Sequence, residues 1–353
     1  MTGGEPANGT IYRVVAPSGR GQAQGQTITG TKAPPTRQVW RISGENPYGN
    51  PVNAGIGRLQ VLAAALLFST GGAGIKAAAF TGLQVSALRS GIAALVLLML
   101  LRGLNIGRGT RMFVLSPAMV ATGVVYGVTV TLFVLSTKLT TAANAIFLQA
   151  TAPLYLLLLG PLVLHERFRA RDVAFLLGVA AGLVLCVVGQ AEPSTTAPDP
   201  VRGNLLAVLC SITWALTLLG LRYIQRGQTQ TGAGLSAVTL GNLFASLAAW
   251  PFAWPLPAAS VVEWSTIVYL GVCQIGVAYV FLTAAMRVLP ALEVSLLLLI
   301  EPVLNPIWTW MIRGERPGTY TIIGGAIIIA ATAIKSIHDS RVPAVSAQIA
   351  KSG

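Results

Sequence analysis

The chain has 353 residues, 54% of them hydrophobic and only 10% charged. Soluble domains carry about 25% charged residues, so the composition excludes an ordinary soluble enzyme or binding module and places most of the chain in lipid. The net charge of +13, from 24 Lys and Arg against 11 Asp and Glu, is spread along the flanks of apolar stretches, not gathered on one basic surface, which argues against nucleic acid as a partner.

Residues 1–55 are rich in Gly, Thr, Gln and Pro and hold no apolar run of the signal-peptide kind. They are expected to form a disordered cytoplasmic tail, with a long linker or a start site placed too far upstream as open alternatives. Crossing the hydrocarbon core takes about 20 apolar residues in a helix. Runs of that length recur at 59–80, 83–101, 113–136, 141–164 and 173–190, and again at 204–224, 235–254, 264–286, 291–312 and 319–337. The predicted organisation is a five-helix repeat over 56–190, a linker loop at 191–202, a second five-helix repeat over 203–338, and a cytoplasmic tail at 339–353. The predicted fold class is therefore an all-α polytopic membrane protein with ten transmembrane helices.

The second set of spans echoes the first. Around spans four and nine an ungapped register matches Ala142 with Ala291, Pro153 with Pro302, Glu166 with Glu315 and Arg167 with Arg316. In spans one and six, Gly57, Leu59, Gly74 and Lys76 overlie Gly203, Leu205, Gly220 and Arg222, and in spans two and seven Ser86, Ala87 and Gly91 overlie Ser236, Ala237 and Gly241. An odd number of spans per copy makes the second copy enter the membrane from the opposite side, so the repeats are inverted. Inverted repeats are a recurrent design of secondary transporters, with the substrate site near the midplane between the halves; a duplicated structural bundle is the plainer alternative. Arg102, Arg108, Arg111, Arg167, Arg169, Arg171 and Arg226 fall on one set of connections, and the positive-inside rule then predicts both termini in the cytoplasm of a cell-membrane protein.

An ionisable group at a helix centre in the bilayer costs at least about 2.5–3.5 kcal/mol, so each one is a candidate for function. Glu301 lies in mid-span, directly before Pro302; it could hold substrate, bind and release a proton during transport, or satisfy backbone groups freed by the proline. Helical spacing puts Glu301, Asn305 and Trp308 on one face. Thr122, Tyr126, Thr129 and Phe133 make a similar stripe in span three, and Trp214 in span six aligns with Phe68 in span one. Aromatic walls with few polar fixtures line small-molecule pockets and hold cations, although helix packing also produces such stripes. Arg89 has three open readings: it compensates a substrate carboxylate, pairs with Glu301 or Glu293, or snorkels to the headgroups.

Lys76 and Lys138, at the outer ends of spans one and three, are expected to snorkel. Glu166 with Arg167 and Glu315 with Arg316 end spans four and nine on opposite membrane faces and are candidate gate elements, against the alternative of loop contacts worth little individually. Gly71, Gly72 and Gly74 allow close helix approach or a hinge. Cys186, Cys210 and Cys273 lie within spans without CxxC spacing and read as packing residues. His165 and His338 build no His-rich metal site, and no catalytic or nucleotide-binding motif is present in the sequence. No catalytic residue, metal or cofactor is therefore expected; the expected partners are a small-molecule substrate and the lipid bilayer, and nothing in the sequence specifies an oligomeric state.

Pro153 with His165-Glu166-Arg167, Glu301-Pro302 with Gly314-Glu315-Arg316, and Leu88-Arg89-Ser90-Gly91 together resemble the drug/metabolite transporter superfamily, specifically its EamA-type members. The resemblance covers residues 57–338 and rests on the ordered set, since no single motif is specific. It implies a ten-helix inverted-repeat carrier with cytoplasmic termini that moves small metabolites such as amino acids, often outward. It also implies a central cavity formed mainly by helices 1, 3, 4, 6, 8 and 9. Two departures stand out: Thr239 occupies the position of Arg89 in the second repeat, and His165 replaces the usual glycine before the first Glu-Arg. The expected function is a secondary transporter exporting a small amphipathic metabolite by alternating access, with proton coupling open. The rivals are a passive facilitator or channel, an intramembrane enzyme, which lacks paired catalytic residues at one depth, and a receptor, which lacks a folded soluble domain.

Overall fold

The computed structural model describes residues 51–106, 116–152, 154–155, 158, 170–188, 193–227, 233–285, 289, 294 and 297–341. The chain divides into two units, 1–46 and Pro47–Gly353, and all described residues belong to the second. The expected N-terminal tail up to residue 50, the C-terminal tail beyond Arg341, Pro153, His165, Glu166, Arg167 and Glu293 lie outside the described residues.

Among the described residues the chain is all-helical. Helices α1 (Pro51–Ser69) and α2 (Gly71–Ala77) form the first span, followed by α3 (Gly82–Ile106), α4 (Pro117–Leu139), α5 (Ala142–Gln149) and α6 (Ala170–Val188). The second repeat comprises α7 (Pro200–Gly227), α8 (Ala233–Ala249), α9 (Val261–Tyr269), a π-helical segment (Leu270–Val277), α10 (Ala278–Ala285), α11 (Ile300–Arg313) and α12 (Thr319–Arg341). Among the described residues six stretches are long and apolar enough to cross a membrane: Gly55–Ala77, Gly82–Gly103, Pro117–Leu139, Pro200–Leu221, Ala233–Phe252 and Val261–Ala285. Helices α5, α6, α11 and α12 fall on spans four, five, nine and ten. The protein is an all-α polytopic membrane protein of two five-span repeats.

Local chemistry sets the helix ends. Ser116 caps α4, accepting from the Met119 N–H at 3.2 Å with Pro117 at the first helical position, where its missing N–H costs nothing. Thr141 caps α5 in the same way through the Asn144 N–H. Ser260 and Glu263 form a reciprocal capping box at α9. Gly314, at φ 66°, closes α11 in the left-handed conformation. The first span, expected as one helix, is broken at Thr70. There the hydroxyls of Ser69 and Thr70 donate to the carbonyls of Leu66 and Leu67, both at 2.7 Å, diverting these from regular helix bonding.

The packing is reciprocal between the repeats. In the first repeat α4 packs on α7 and α8, and the matching third span of the second repeat, α9 through α10, packs on α1 and α3. Helices α3 and α8 cross each other, as do α6 and α12. Glycines permit the closest crossings: a Cβ at Gly127 would lie 2.7 Å from the Gly241 carbonyl oxygen, and one at Gly182 would lie 2.7 Å from that of Gly324. The face where α1 begins is the near face. At the opposite, far face α2, α4 and α11 end and α5, α7 and α9 begin.

Lys76 and Lys138 depart from the expected snorkelling. Lys76 is buried and bound to partners at the far face, and Lys138 donates to the Ala78 carbonyl at 2.6 Å. Chain reversals at both helix ends bring carbonyl acceptors within reach of the amines, so neither needs a headgroup.

Candidate functional site

Two groups of polar side chains are buried in the apolar bundle. The first is central and drawn from both repeats. Arg89, on α3, is only 2% exposed; its Nη1 donates to Gln274 Oε1 at 3.5 Å and its Nη2 to the Val130 carbonyl at 3.3 Å. These are long for bonds from a charged donor, which run to about 2.7–2.9 Å. Among the described residues its Nε has no hydrogen-bond partner, and no carboxylate forms an ion pair with it.

Tyr126 on α4 and Tyr279 on α10 stand beside this guanidinium. Their rings meet edge to face at 5.7 Å, and Phe68 at the end of α1 meets Tyr279 in the same manner at 5.1 Å. Trp214 on α7 packs against the same core, half-buried. The Tyr126 hydroxyl lies beside Tyr279 and beside Asn242 of α8, and among the described residues neither that hydroxyl nor Asn242 Oδ1 makes a hydrogen bond of good geometry.

The π-helical segment places Gln274. A π turn accommodates an extra residue and re-aims its side chains, and here Gln274 is directed at both Arg89 and the bare backbone of Gly71, where a Cβ would lie 2.8 Å from its Nε2. Helix α3 approaches the segment at Gly271, whose Cβ would meet the Arg89 carbonyl at 2.9 Å.

Helix α11 adds Glu301, half-buried and near Tyr279. One turn on, Asn305 is fully buried, with both amide atoms unpartnered among the described residues, and lies directly over Gly72, leaving no room for a side chain there. Trp308 donates from Nε1 to Ser69 Oγ at 2.9 Å, joining α11 to the break in the first span. Thr129 stands apart from the aromatic group: its hydroxyl bonds the Val125 carbonyl at 2.9 Å and meets Thr217 at 3.3 Å, between α4 and α7.

The second group lies at the far face. Lys76 Nζ stands 3.4 Å from Glu315 Oε2, both side chains almost fully buried. The lysine donates to the carbonyls of Thr140, at 2.7 Å, and Thr196, while Glu315 Oε1 accepts from the Ala142 N–H at 2.6 Å. Beneath this pair Asn144 donates to Asn204 Oδ1 at 2.8 Å and to the Cys186 carbonyl at 2.9 Å, and accepts from Thr321. The cluster ties together the far ends of α2, α4, α5, α7, α11 and α12. Arg316 is exposed, so the charge that meets Glu315 comes from the other repeat and not from its sequence neighbour.

Sequence reasoning passed over Gln274, Tyr279 and Asn242. A signal for Tyr279 was present: Gly123-Val124-Val125-Tyr126 recurs as Gly276-Val277-Ala278-Tyr279. The two tyrosines are thus repeat counterparts, and they meet ring to ring.

Comparison with known proteins agrees with this architecture. Residues 55–188 and 201–337 each match the EamA-like transporter family. A relative from Ancylobacter novellus named aromatic amino acid exporter YddG is 25% identical over 57% of this chain and 69% of its own length. An uncharacterized transporter from Archaeoglobus fulgidus is 28% identical over 56% of this chain and 67% of its own. A solved crystal structure superposes with a TM-score of 0.55 at 22% identity, covering 81% of this chain and 98% of that one, a likeness of fold. With the family matched once in each repeat, over most of the chain's length, the chain belongs to the EamA-like transporter family and is a membrane transporter, not an enzyme.

Proposed function

We propose that this protein is a secondary carrier of the cell membrane that exports a small amphipathic metabolite by alternating access. The observation that carries the proposal is the buried Lys76–Glu315 cluster, which seals one face above a central polar and aromatic group built from both repeats. A pore needs a continuous path. A carrier needs a seal on one side that can be exchanged for a seal on the other, and inverted repeats supply two equivalent sets of helices for that purpose. In the repeat register Lys76 overlies Arg222 and Glu315 overlies Glu166, so the pair that seals the far face has same-charge counterparts in sequence for the opposite one. Glu315, paired with Lys76 and not with exposed Arg316, and its counterpart Glu166 are the gate candidates of this reading.

The substrate side is assigned to Arg89, Tyr126, Phe68, Trp214, Glu301, Asn305 and Trp308, with Thr129 at the margin. Glu301 is the proposed proton carrier. The relative named as an aromatic amino acid exporter supports outward transport of an amino acid or a compound of similar size and polarity.

The test is counterflow. Proteoliposomes preloaded with unlabelled L-phenylalanine are expected to accumulate labelled L-phenylalanine transiently and with saturable kinetics. Uptake that is linear in concentration and shows no counterflow would indicate a passive facilitator. Orientation rests on the arginine asymmetry: reporters fused after residue 340 and near residue 169 should register cytoplasm and one near residue 196 the exterior. An exterior signal at both 169 and 340 would overturn this topology.

A further inference from the structure

We infer that Arg89, Gln274 and Tyr126 form a carboxylate subsite, so that the cargo is a small aromatic or bulky apolar carboxylic acid, its acid group held by α3 and its ring by Phe68 and Tyr279. The inference rests on the carrier reading above and names its substrate class.

A guanidinium cannot be freed of its charge as readily as a lysine amine, and burying a cation costs several kcal/mol unless an anion and well-placed acceptors offset it. Arg89 has neither among the described residues. Its contacts are two neutral oxygens at 3.3 and 3.5 Å, and its Nε is unpartnered. Two of the alternatives left open by the sequence are met by this geometry: at 2% exposure Arg89 does not reach the headgroups, and Glu301 forms no ion pair with it; Glu293 lies outside the described residues.

The neighbouring groups have matching chemistry. The Tyr126 hydroxyl can donate to a carboxylate oxygen: it stands beside Tyr279 and Asn242 without a hydrogen bond of good geometry among the described residues, and it can turn from them to an incoming acid. A guanidinium offers parallel N–H groups that match a carboxylate in a fork. The Gln274 amide oxygen fills part of that place at a distance too long for a strong bond, and it can be displaced. Phe68, Tyr279 and Tyr126 form a continuous edge-to-face series whose two tyrosines stand beside the guanidinium, an apolar wall for the body of a molecule whose acid group is held by Arg89. Thr239 stands at the repeat counterpart of Arg89, so the fold supplies one such cation and the subsite takes one carboxylate.

Two substitutions test this in the purified full-length protein, read by ligand-dependent melting and by binding titration with 3-phenylpropionate and its uncharged amide. Wild type is expected to bind the acid more tightly than the amide. Arg89→Gln should weaken acid binding about tenfold or more, the scale of a lost charged hydrogen bond, and leave the amide unaffected. Gln274→Glu places a carboxylate where the amide oxygen stands, 3.5 Å from the guanidinium. It should therefore raise the ligand-free melting temperature and abolish acid binding together, a combination that a purely structural arginine would not produce.

Equal binding of acid and amide by wild type, binding of neither, or a lower melting temperature in Gln274→Glu would each overturn the subsite. Counterflow separates this from the carrier reading. Counterflow that treats acids and amides alike would leave the carrier standing without the subsite, and acid-selective binding without counterflow would leave the subsite standing without the carrier.

Discussion

Glu315→Ala is expected to be among the most damaging single substitutions in this protein, lowering stability by about 3–5 kcal/mol, because it strands the buried charge of Lys76. The same change orphans the Ala142 N–H, which Glu315 accepts at 2.6 Å at the start of α5. Lys76→Met should cost a comparable amount by leaving the Glu315 carboxylate without its cation. The double variant Lys76→Met with Glu315→Ala should be milder than the sum of the two singles, since each single penalty contains the cost of the partner left behind.

Charge reversal, Lys76→Glu with Glu315→Lys, should fail to rescue. A carboxylate at position 76 would face the carbonyls of Thr140 and Thr196, and an ammonium at 315 would face an N–H donor. Melting of the purified protein in detergent measures all four. A reversal variant as stable as wild type would show that the two charges interact with each other alone and that the surrounding backbone is indifferent to their sign. For transport, a variant that weakens this seal should expose the far side of the bundle. Ala143→Cys, buried under the cluster, should gain reactivity toward an impermeant maleimide when combined with Glu315→Gln in a background lacking the three native cysteines.

Glu301→Gln should leave insertion and folding intact while reducing net transport about tenfold or more, on the scale of a lost hydrogen bond to a charged group, about 1.5–3 kcal/mol. The glutamine keeps the shape of the side chain and its capacity to bond the backbone beside Pro302, so a structural role alone would survive the change. A role in carrying protons would not. The specific signature is a loss of response to an imposed pH gradient with exchange of preloaded substrate retained, measured in the same proteoliposomes. If Glu301 binds cargo directly, exchange should fall together with net transport. Wild-type rates with an unchanged pH response would reduce Glu301 to support for the helix at Pro302.

The spans and the inverted repeat were legible because hydropathy is a local property: each residue states its own preference for lipid, and about twenty in succession decide a crossing whatever lies beside it. The odd count of spans per copy then forces inversion by topology alone. The break at Thr70 was harder to read, since it depends on which carbonyls the Ser69 and Thr70 hydroxyls reach. The π-helical segment that aims Gln274 carries no sequence signature comparable to a proline or a cap. Even so, the tyrosine counterpart at position 279 stood in plain view in the repeated Gly-Val-X-Tyr pattern.

The sequence by itself determined the fold class, the duplication, the family resemblance and the short list of intramembrane charges, because the cost of a charge in lipid marks each one individually. Only the tertiary structure decided how those charges are partnered. Lys76 meets Glu315 across 239 residues of chain, the difference of their numbers, and Arg89 meets Gln274 across 185. Such pairings follow from which helices cross and at which glycines they approach, and no local preference encodes that. Arg316, adjacent to Glu315 in sequence, lies exposed, while Lys76 of the other repeat is buried with it. Burial and not proximity along the chain selects the partner, since a buried charge is stable only where an opposite charge and matching donors or acceptors converge on it.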